Sequence, residues 1–121
     1  MENQTKIPSS PWGDIQSFNA MAVRDDEDIF TCFNVSTASH GGLLIPTELA
    51  ERRVPSEYLK RSFVKQIGAY TAFEEDCEWA FALKFIPELV PLFPGADDIL
   101  GQAQRVVSYY TEPKLQIIVV K

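Results

Sequence analysis

The fold is decided by residues 29–45, which read IFTCFNVSTASHGGLLI. The first seven residues have the composition of a strand, and both alternating sets of side chains are mostly apolar, so both faces should be covered. Small residues and the pair Gly41-Gly42 then interrupt the pattern, which permits positive φ angles and close approach of another group to the backbone. The apolar pattern resumes at 43–45. We therefore expect a central strand, a tight loop and a short third strand.

The segments on either side of this stretch complete the predicted architecture. Residues 15–23 have strand composition, and the polar residues 24–27 separate them from the central strand as a hairpin turn. Residues 46–52 and 55–60 each begin with proline and predict two short helices. The order of elements predicts an α+β fold, in which a small antiparallel sheet, the N-terminal hairpin plus a third strand, packs against two main C-terminal helices.

The first of these main helices is expected to start near Thr71. The sequence Thr71-Ala72-Phe73-Glu74 matches a capping box, and the acidic residues that follow would complement the helix dipole. The helix should continue through the core until Pro87 breaks or bends it. A second helix is expected from about Asp97 to Tyr110, and the apolar residues 115–120 are expected to add a strand.

Length and composition indicate one domain. With 121 residues, 45% of them hydrophobic and 23% charged, the chain is long and apolar enough to bury a core. Residues 1–11 are predicted to form a flexible arm, and residues 12–121 the single domain. The chain has no long apolar run and its N-terminus lacks the apolar centre of a signal peptide, so we expect a cytoplasmic protein without a membrane partner. Cys32 and Cys77 lack metal-type spacing and are expected to be reduced, buried thiols.

Charge narrows the classes of partner. The net charge is −6, which disfavours direct binding to nucleic acid. Residues 52–65 hold a basic cluster, which is either a solvated helix face or a contact surface for an acidic partner. Residues 74–98 carry seven acids against Lys84 alone. Dense carboxylates can steer a protein toward basic surfaces that normally hold nucleic acid, so the expected partner is a protein, and a nucleic-acid-binding defence protein is the candidate.

The chemistry-bearing candidates centre on the one histidine, His40. In its glycine loop it could act as a general base, a hydrogen-bond donor or a metal ligand, and a structural role is the commoner explanation. An enzyme would combine His40 with Glu75 and Cys77, although the acids around Cys77 oppose thiolate formation. No phosphate-loop motif is present, and no metal or cofactor is expected.

For a binding role the candidate residues come from three segments: the glycine loop, the acidic segment and the start of the last helix. They are Ser39, His40, Gly41, Gly42, Glu74, Glu75, Asp76, Glu78, Asp97 and Asp98.

Three motifs carry a resemblance to a known family: Pro11-Trp12-Gly13, VSTASHGG at 35–42, and EEDCEWA at 74–80. In combination they resemble a small uncharacterised domain family found in phage, plasmid and other mobile-element proteins. The resemblance covers roughly residues 11–90, and residues 95–121 depart from it. The family has no established activity to carry over, so the resemblance implies only a biological context.

That context suggests an inhibitor of host defence, of anti-CRISPR or anti-restriction type, which covers a nucleic-acid site on a host protein. The leading hypothesis is therefore a non-enzymatic acidic binding protein. The alternatives are an immunity protein that neutralises a toxin, and a small hydrolase or metal-dependent enzyme that uses His40 with the acidic helix.

Overall fold

A computed structural model describes residues 8–61 and 63–111, and the chain has the predicted α+β fold. The strands are β1 (Ser17–Asp25), β2 (Asp28–Ser36), β3 (Gly41–Pro46), β4 (Val64–Ile67) and β5 (Tyr70–Glu74). The helices are α1 (Thr47–Arg53), α2 (Ser56–Leu59), α3 (Trp79–Phe85) and α4 (Ile99–Thr111), with a 3₁₀ helix at Pro87–Leu92. The hairpin, the third strand, the two short helices and the last helix were all predicted.

The five strands form one antiparallel sheet in the order β1-β2-β3-β5-β4. The β1–β2 hairpin closes with Asp25 opposite Asp28, and β2 has a neighbour on each side. The sheet is two strands larger than predicted because β4 and β5 form a second hairpin, with Ile67 opposite Tyr70. Gly68, with a φ of +60°, lies in the short turn between them. β5 joins the sheet by pairing with β3, so β4 lies at the edge.

The sheet buries side chains on both faces. The larger core lies against the helices and includes Leu43, Ile45, Phe73, Phe81 and Leu83, all fully buried. On the opposite face a smaller core contains Phe33, Val35, Leu44 and Ala72, and it is covered in part by Trp12, Ile15 and Tyr70. The two cores explain why β2 is apolar on both of its faces.

The predicted helix start at Thr71 is wrong. Residues 70–74 form β5, and α3 begins only at Trp79. The Thr71 hydroxyl contacts the Thr47 hydroxyl at 2.8 Å, so it does not cap a helix. A helix cap is worth about 1 kcal/mol, whereas burying a phenylalanine side chain such as Phe73 is worth about 2–3 kcal/mol before the backbone pairing with β3 is counted. Tertiary burial therefore outweighs the local capping pattern.

Two sequence predictions fall partly or wholly outside the described residues. The strand predicted over 115–120 lies outside them, and so do residues 1–7 of the predicted arm. Within the arm, the Ser10 hydroxyl donates to the Gly13 carbonyl at 2.8 Å and accepts from the Trp12 N–H at 3.0 Å. Among the described residues, no helix combines the length and the apolar composition that crossing a membrane requires.

Candidate functional site

The loop between β2 and β3 is closed by Thr37. Its N–H donates to the His40 carbonyl at 2.7 Å, and its hydroxyl oxygen accepts from the His40 N–H at 3.1 Å. The same hydroxyl lies 2.7 Å from the His40 carbonyl and 3.3 Å from the Trp12 carbonyl. The loop is therefore a tight turn joined to the N-terminal segment, with Ser39 exposed within it.

Gly41 and Gly42 bring β3 against its neighbours where no side chain fits. A Cβ on Gly41 would lie 2.6 Å from the Val35 carbonyl oxygen. On Gly42, whose φ is +156°, a Cβ would overlap the Phe73 carbonyl oxygen and lie 2.7 Å from Trp12 Cη2. The glycine pair thus serves close strand and aromatic packing, the kind of approach that the sequence predicted.

His40 and the acidic segment are neighbours. His40 Nδ1 lies 3.3 Å from Glu74 Oε2, with 47% of the histidine side chain and 14% of the glutamate side chain exposed. The Glu75 N–H donates to the Gly41 carbonyl at 2.9 Å, which ties the acidic segment to the start of β3. The arrangement orients the imidazole through a carboxylate and leaves Nε2 as the ring nitrogen outside the contact.

Glu74, the first residue of the acidic segment 74–78, ends β5. Residues 75–78 form a turn between β5 and α3, which we call the acidic turn, and not the first turn of a helix. Glu75 and Asp76 are exposed, whereas Glu78 is buried. Burial raises the pKa of Glu78, and Arg61, whose Nε lies 3.9 Å from Glu78 Oε2, partly offsets that effect. The Arg61 guanidinium stacks on the rings of Phe81 at 4.9 Å and Tyr110 at 4.8 Å. Glu78 therefore has an internal role and is not a surface contact.

The Cys–His pair of the enzyme hypothesis does not form. Cys77 Sγ contacts the Tyr110 hydroxyl at 3.1 Å. The other thiol, Cys32, is fully buried, and burial raises its pKa to about 12, so it is unreactive. Within residues 8–61 and 63–111, no group of three His, Cys, Asp or Glu side chains is placed to hold a metal ion. His40 and Glu74 remain as the one His–carboxylate contact of this region.

The two acids before α4 differ in their roles. Asp98 Oδ1 accepts from the Gly101 N–H at 3.2 Å, so Asp98 caps the helix, and its carboxylate lies 4.0 Å from Arg105. The Asp97 backbone carbonyl accepts from the Gln102 side chain at 2.8 Å, and Asp97 is exposed. Asp97 is the acid of this pair that we consider available to a partner.

The arginines of α1 are held in an internal ion-pair network. Arg52 contacts three carboxylates and Arg53 contacts two. The pairs are Arg52 with Asp25 (2.9 Å), Asp28 (2.6 Å) and Glu48 (2.8 Å), and Arg53 with Asp25 (2.7 Å) and Glu88 (2.6 Å). Hydrogen bonds from Arg53 lower the pKa of Asp25 and of Glu88, with Arg52 also acting on Asp25. These cations are used to join β1, β2, α1 and the 3₁₀ helix, which favours a structural role over a contact surface.

A small cavity lies beside the acidic turn. It has a volume of about 320 Å³, and Asn34, Glu75, Trp79, Phe93 and Ile99 are among the residues that line it. The Trp79 and Phe93 rings are 5.6 Å apart between centroids and inclined by 51°. The cavity combines residues of β2, the acidic turn, α3 and the segment before α4, so no single stretch of sequence could predict it.

The three sequence motifs meet in this region. Trp12 lies against Gly42, and His40 of the glycine loop lies against Glu74 of the acidic segment. A model of a domain of unknown function, DUF7007, matches residues 5–110. The chain belongs to the DUF7007 family. No curated protein and no solved structure matches it.

The DUF7007 match confirms that the chain carries an uncharacterised domain. The match includes residues 95–110, which we expected to lie outside the resemblance. The description of the DUF7007 family names no activity.

The structure sorts the predicted site residues of the DUF7007 domain into two groups. His40, Gly41, Gly42, Glu74 and Glu75 come together where β3 and β5 pair. The others stand apart from that contact: Ser39 is exposed in the loop, Asp76 is exposed in the turn before α3, Cys77 and Glu78 adjoin Tyr110 and Arg61, and Asp97 and Asp98 precede α4.

Sequence analysis of the site missed Arg61 and Phe93 and did not include Trp12 among the candidates. Trp12 had a signal, since it stands in the first motif. Arg61 had only the general signal of the basic cluster 52–65 and Phe93 had none, because their roles depend on partners distant in the chain.

Proposed function

We propose that this DUF7007 domain is a non-enzymatic binding protein that contacts a basic surface on another protein through three exposed acids, Glu75, Asp76 and Asp97, which we call its acidic surface. One observation carries the proposal: Arg52 and Arg53 are neutralised by internal ion pairs, whereas these three acids are exposed. The net charge of −6 adds a long-range attraction to any basic partner.

The form of this function that we favour is inhibition of a bacterial defence complex. Defence nucleases and guide complexes hold nucleic acid on basic surfaces, and an acidic protein can occupy such a surface by charge complementarity. The motif resemblance to mobile-element proteins supports an anti-CRISPR or anti-restriction role in the cytoplasm of a bacterial host. The partner would be a nucleic-acid-binding protein, and the chain would make no contact with the nucleic acid itself.

The test is a plating assay in bacteria that carry a defined CRISPR or restriction system. Expression of the chain is expected to restore phage plating on at least one system of the panel. A triple variant, Glu75→Gln with Asp76→Asn and Asp97→Asn, should lose the effect. The matched control is Glu27→Gln with Glu51→Gln and Glu57→Gln, three exposed acids elsewhere that give the same change in net charge. Unchanged plating across the panel, or equal loss in both triple variants, would contradict the proposal.

A second candidate function is hydrolysis, and the contact between His40 and Glu74 at 3.3 Å is the observation that favours it. A carboxylate that orients an imidazole is a common arrangement for general base catalysis. We rank this candidate lower because the histidine is half exposed, and because Cys77, the proposed nucleophile, contacts Tyr110. Turnover of a hydrolase substrate panel by wild type, and its loss in His40→Ala, would reverse the ranking.

A further inference from the structure

The cavity beside the acidic turn has the size of a side-chain pocket. Its volume of about 320 Å³ lies at the lower end of the range for ligand pockets, roughly 300–1,000 Å³, so it suits a side-chain tip better than a nucleotide-sized ligand. Its position beside Glu75 makes it part of the acidic surface. The chemistry of its wall indicates which side chain it would accept.

Two aromatic rings form one part of the wall. Trp79 is the first residue of α3, and Phe93 follows the 3₁₀ helix, with its N–H bonded to the Val90 carbonyl at 2.9 Å. Their rings are inclined by 51° with centroids 5.6 Å apart. Aromatic faces attract cations through the ring quadrupole, and paired rings are the usual means of holding an organic cation.

The polar side-chain atoms beside these rings add acceptors. Glu75 contributes a carboxylate, and its backbone is fixed by the bond from its N–H to the Gly41 carbonyl at 2.9 Å. Asn34 also lines the cavity, and its amide nitrogen donates to the Leu92 carbonyl at 2.8 Å, which leaves Oδ1 as its acceptor. No Lys or Arg is among the residues that line the cavity. The wall therefore complements a group that is cationic, planar and rich in donors.

We infer that this cavity binds the guanidinium group of an arginine side chain presented by a basic partner protein. Guanidinium stacks on aromatic rings and donates in a planar fork to a carboxylate, which a compact ammonium group cannot do. The same fold already places one arginine on aromatic rings, since the Arg61 guanidinium lies over the rings of Phe81 and Tyr110, with Glu78 Oε2 3.9 Å from its Nε. The inference rests on the proposed function, because it names the side chain by which the partner is recognised.

The direct test uses a small probe and no partner protein. The ¹⁵N-labelled chain is titrated with Nα-acetyl-arginine methylamide, and the indole N–H signal of Trp79 is followed by NMR. A Trp12→Phe variant identifies that signal, because the chain has two tryptophans. The matched probe is the citrulline analogue, which has the same shape but no charge. The arginine probe is expected to shift the Trp79 signal saturably, and the citrulline probe is not.

Variants then separate the contributions of charge and ring. Glu75→Gln should weaken binding of the arginine probe by about 2- to 5-fold, the range for an exposed ion pair. Phe93→Leu should weaken it by a similar factor through loss of the cation–π contact, while keeping an apolar side chain in place. Glu27→Gln, which makes the same charge change at the distant β1–β2 turn, should leave the affinity unchanged.

The inference is overturned if the arginine and citrulline probes shift the Trp79 signal alike, or if Glu75→Gln and Glu27→Gln bind the arginine probe equally well. The proposed function fails differently. If the chain has no effect on any defence system while the arginine probe still binds in the cavity, the arginine site stands and the choice of partner is wrong. If the chain inhibits a defence system and Phe93→Leu inhibits it fully, the acidic surface stands and the cavity is not its arginine pocket.

Discussion

Replacing Gly42 with alanine is expected to be the most damaging single-methyl change in the region where the three motifs meet. The new Cβ would overlap the Phe73 carbonyl oxygen and lie 2.7 Å from Trp12 Cη2. Overpacking costs about 1–3 kcal/mol, and the upper end applies here because a strand carbonyl cannot rotate away. A non-glycine residue at a φ of +156° adds about 1–3 kcal/mol. The expected loss is about 4–6 kcal/mol, a large part of the stability of about 5–15 kcal/mol that is typical of such domains.

Two other glycines separate these contributions. Gly41→Ala tests crowding without the positive φ, because its Cβ would lie 2.6 Å from the Val35 carbonyl, and we expect a loss of about 2–3 kcal/mol. Gly68→Ala tests the positive φ without crowding, because no atom lies within 4 Å of its Cβ, and we expect a loss of about 1–2 kcal/mol. The three variants thus form a series in which only Gly42 combines both effects.

The assay is urea unfolding followed by circular dichroism, with free energies from linear extrapolation and a check that the slopes agree. The expected order of destabilisation is Gly42→Ala, then Gly41→Ala, then Gly68→Ala. If Gly42→Ala costs no more than Gly68→Ala, the close approach of Trp12 and β5 to Gly42 is not as described. The glycine pair would then not be required for close packing.

Three further predictions concern charged groups. Asp25→Asn should melt several degrees below wild type at pH 7 in thermal unfolding. The contacts with Arg53 and Arg52 lower the pKa of Asp25, so their stabilising effect is lost when Asp25 is protonated. The difference in melting temperature should therefore narrow as the pH falls below 3.8. Glu78→Gln should gain stability relative to wild type as the pH rises above 4.5. Burial raises the pKa of Glu78, so ionisation of the wild-type side chain destabilises the folded state. A difference in melting temperature that stays constant from about pH 4 to 8 would contradict this. His40→Ala should lower the free energy of unfolding in urea by less than about 1 kcal/mol, because 47% of the histidine side chain that contacts Glu74 is exposed. A larger loss would mean that His40 stabilises the fold by more than this contact.

The ion-pair network around Arg52 and Arg53 shows how charge is divided in this molecule. The sequence predicts either a solvated face or a contact surface for the basic stretch. Its two arginines in α1 instead form ion pairs that connect α1 to other elements. The same network uses four of the chain's acids, which lie at the β1–β2 turn, in α1 and in the 3₁₀ helix. The exposed acids Glu75, Asp76 and Asp97 take no part in this network.

The errors in the sequence analysis have a common physical cause. Residues 64–74 carry weak alternation and one glycine at a turn position, and the capping pattern at Thr71 gave a stronger local signal than the strand did. β5 forms because Phe73 is buried opposite Leu43 in the pairing with β3. A preference of about 1 kcal/mol at a helix start is decisive only where tertiary burial is neutral.

By itself the sequence determined the α+β class, the first three strands, the tight glycine loop, the short helices and α4. Each of these follows from a local rule: strand composition, the conformational freedom of glycine, proline at a helix start, or apolar residues repeating at helical spacing. Only the tertiary structure decided that residues 70–74 are a strand, that Trp12 closes over Gly42, and that Glu75 shares a cavity with Trp79 and Phe93. These depend on contacts between residues far apart in the chain, whose free energy no local pattern records.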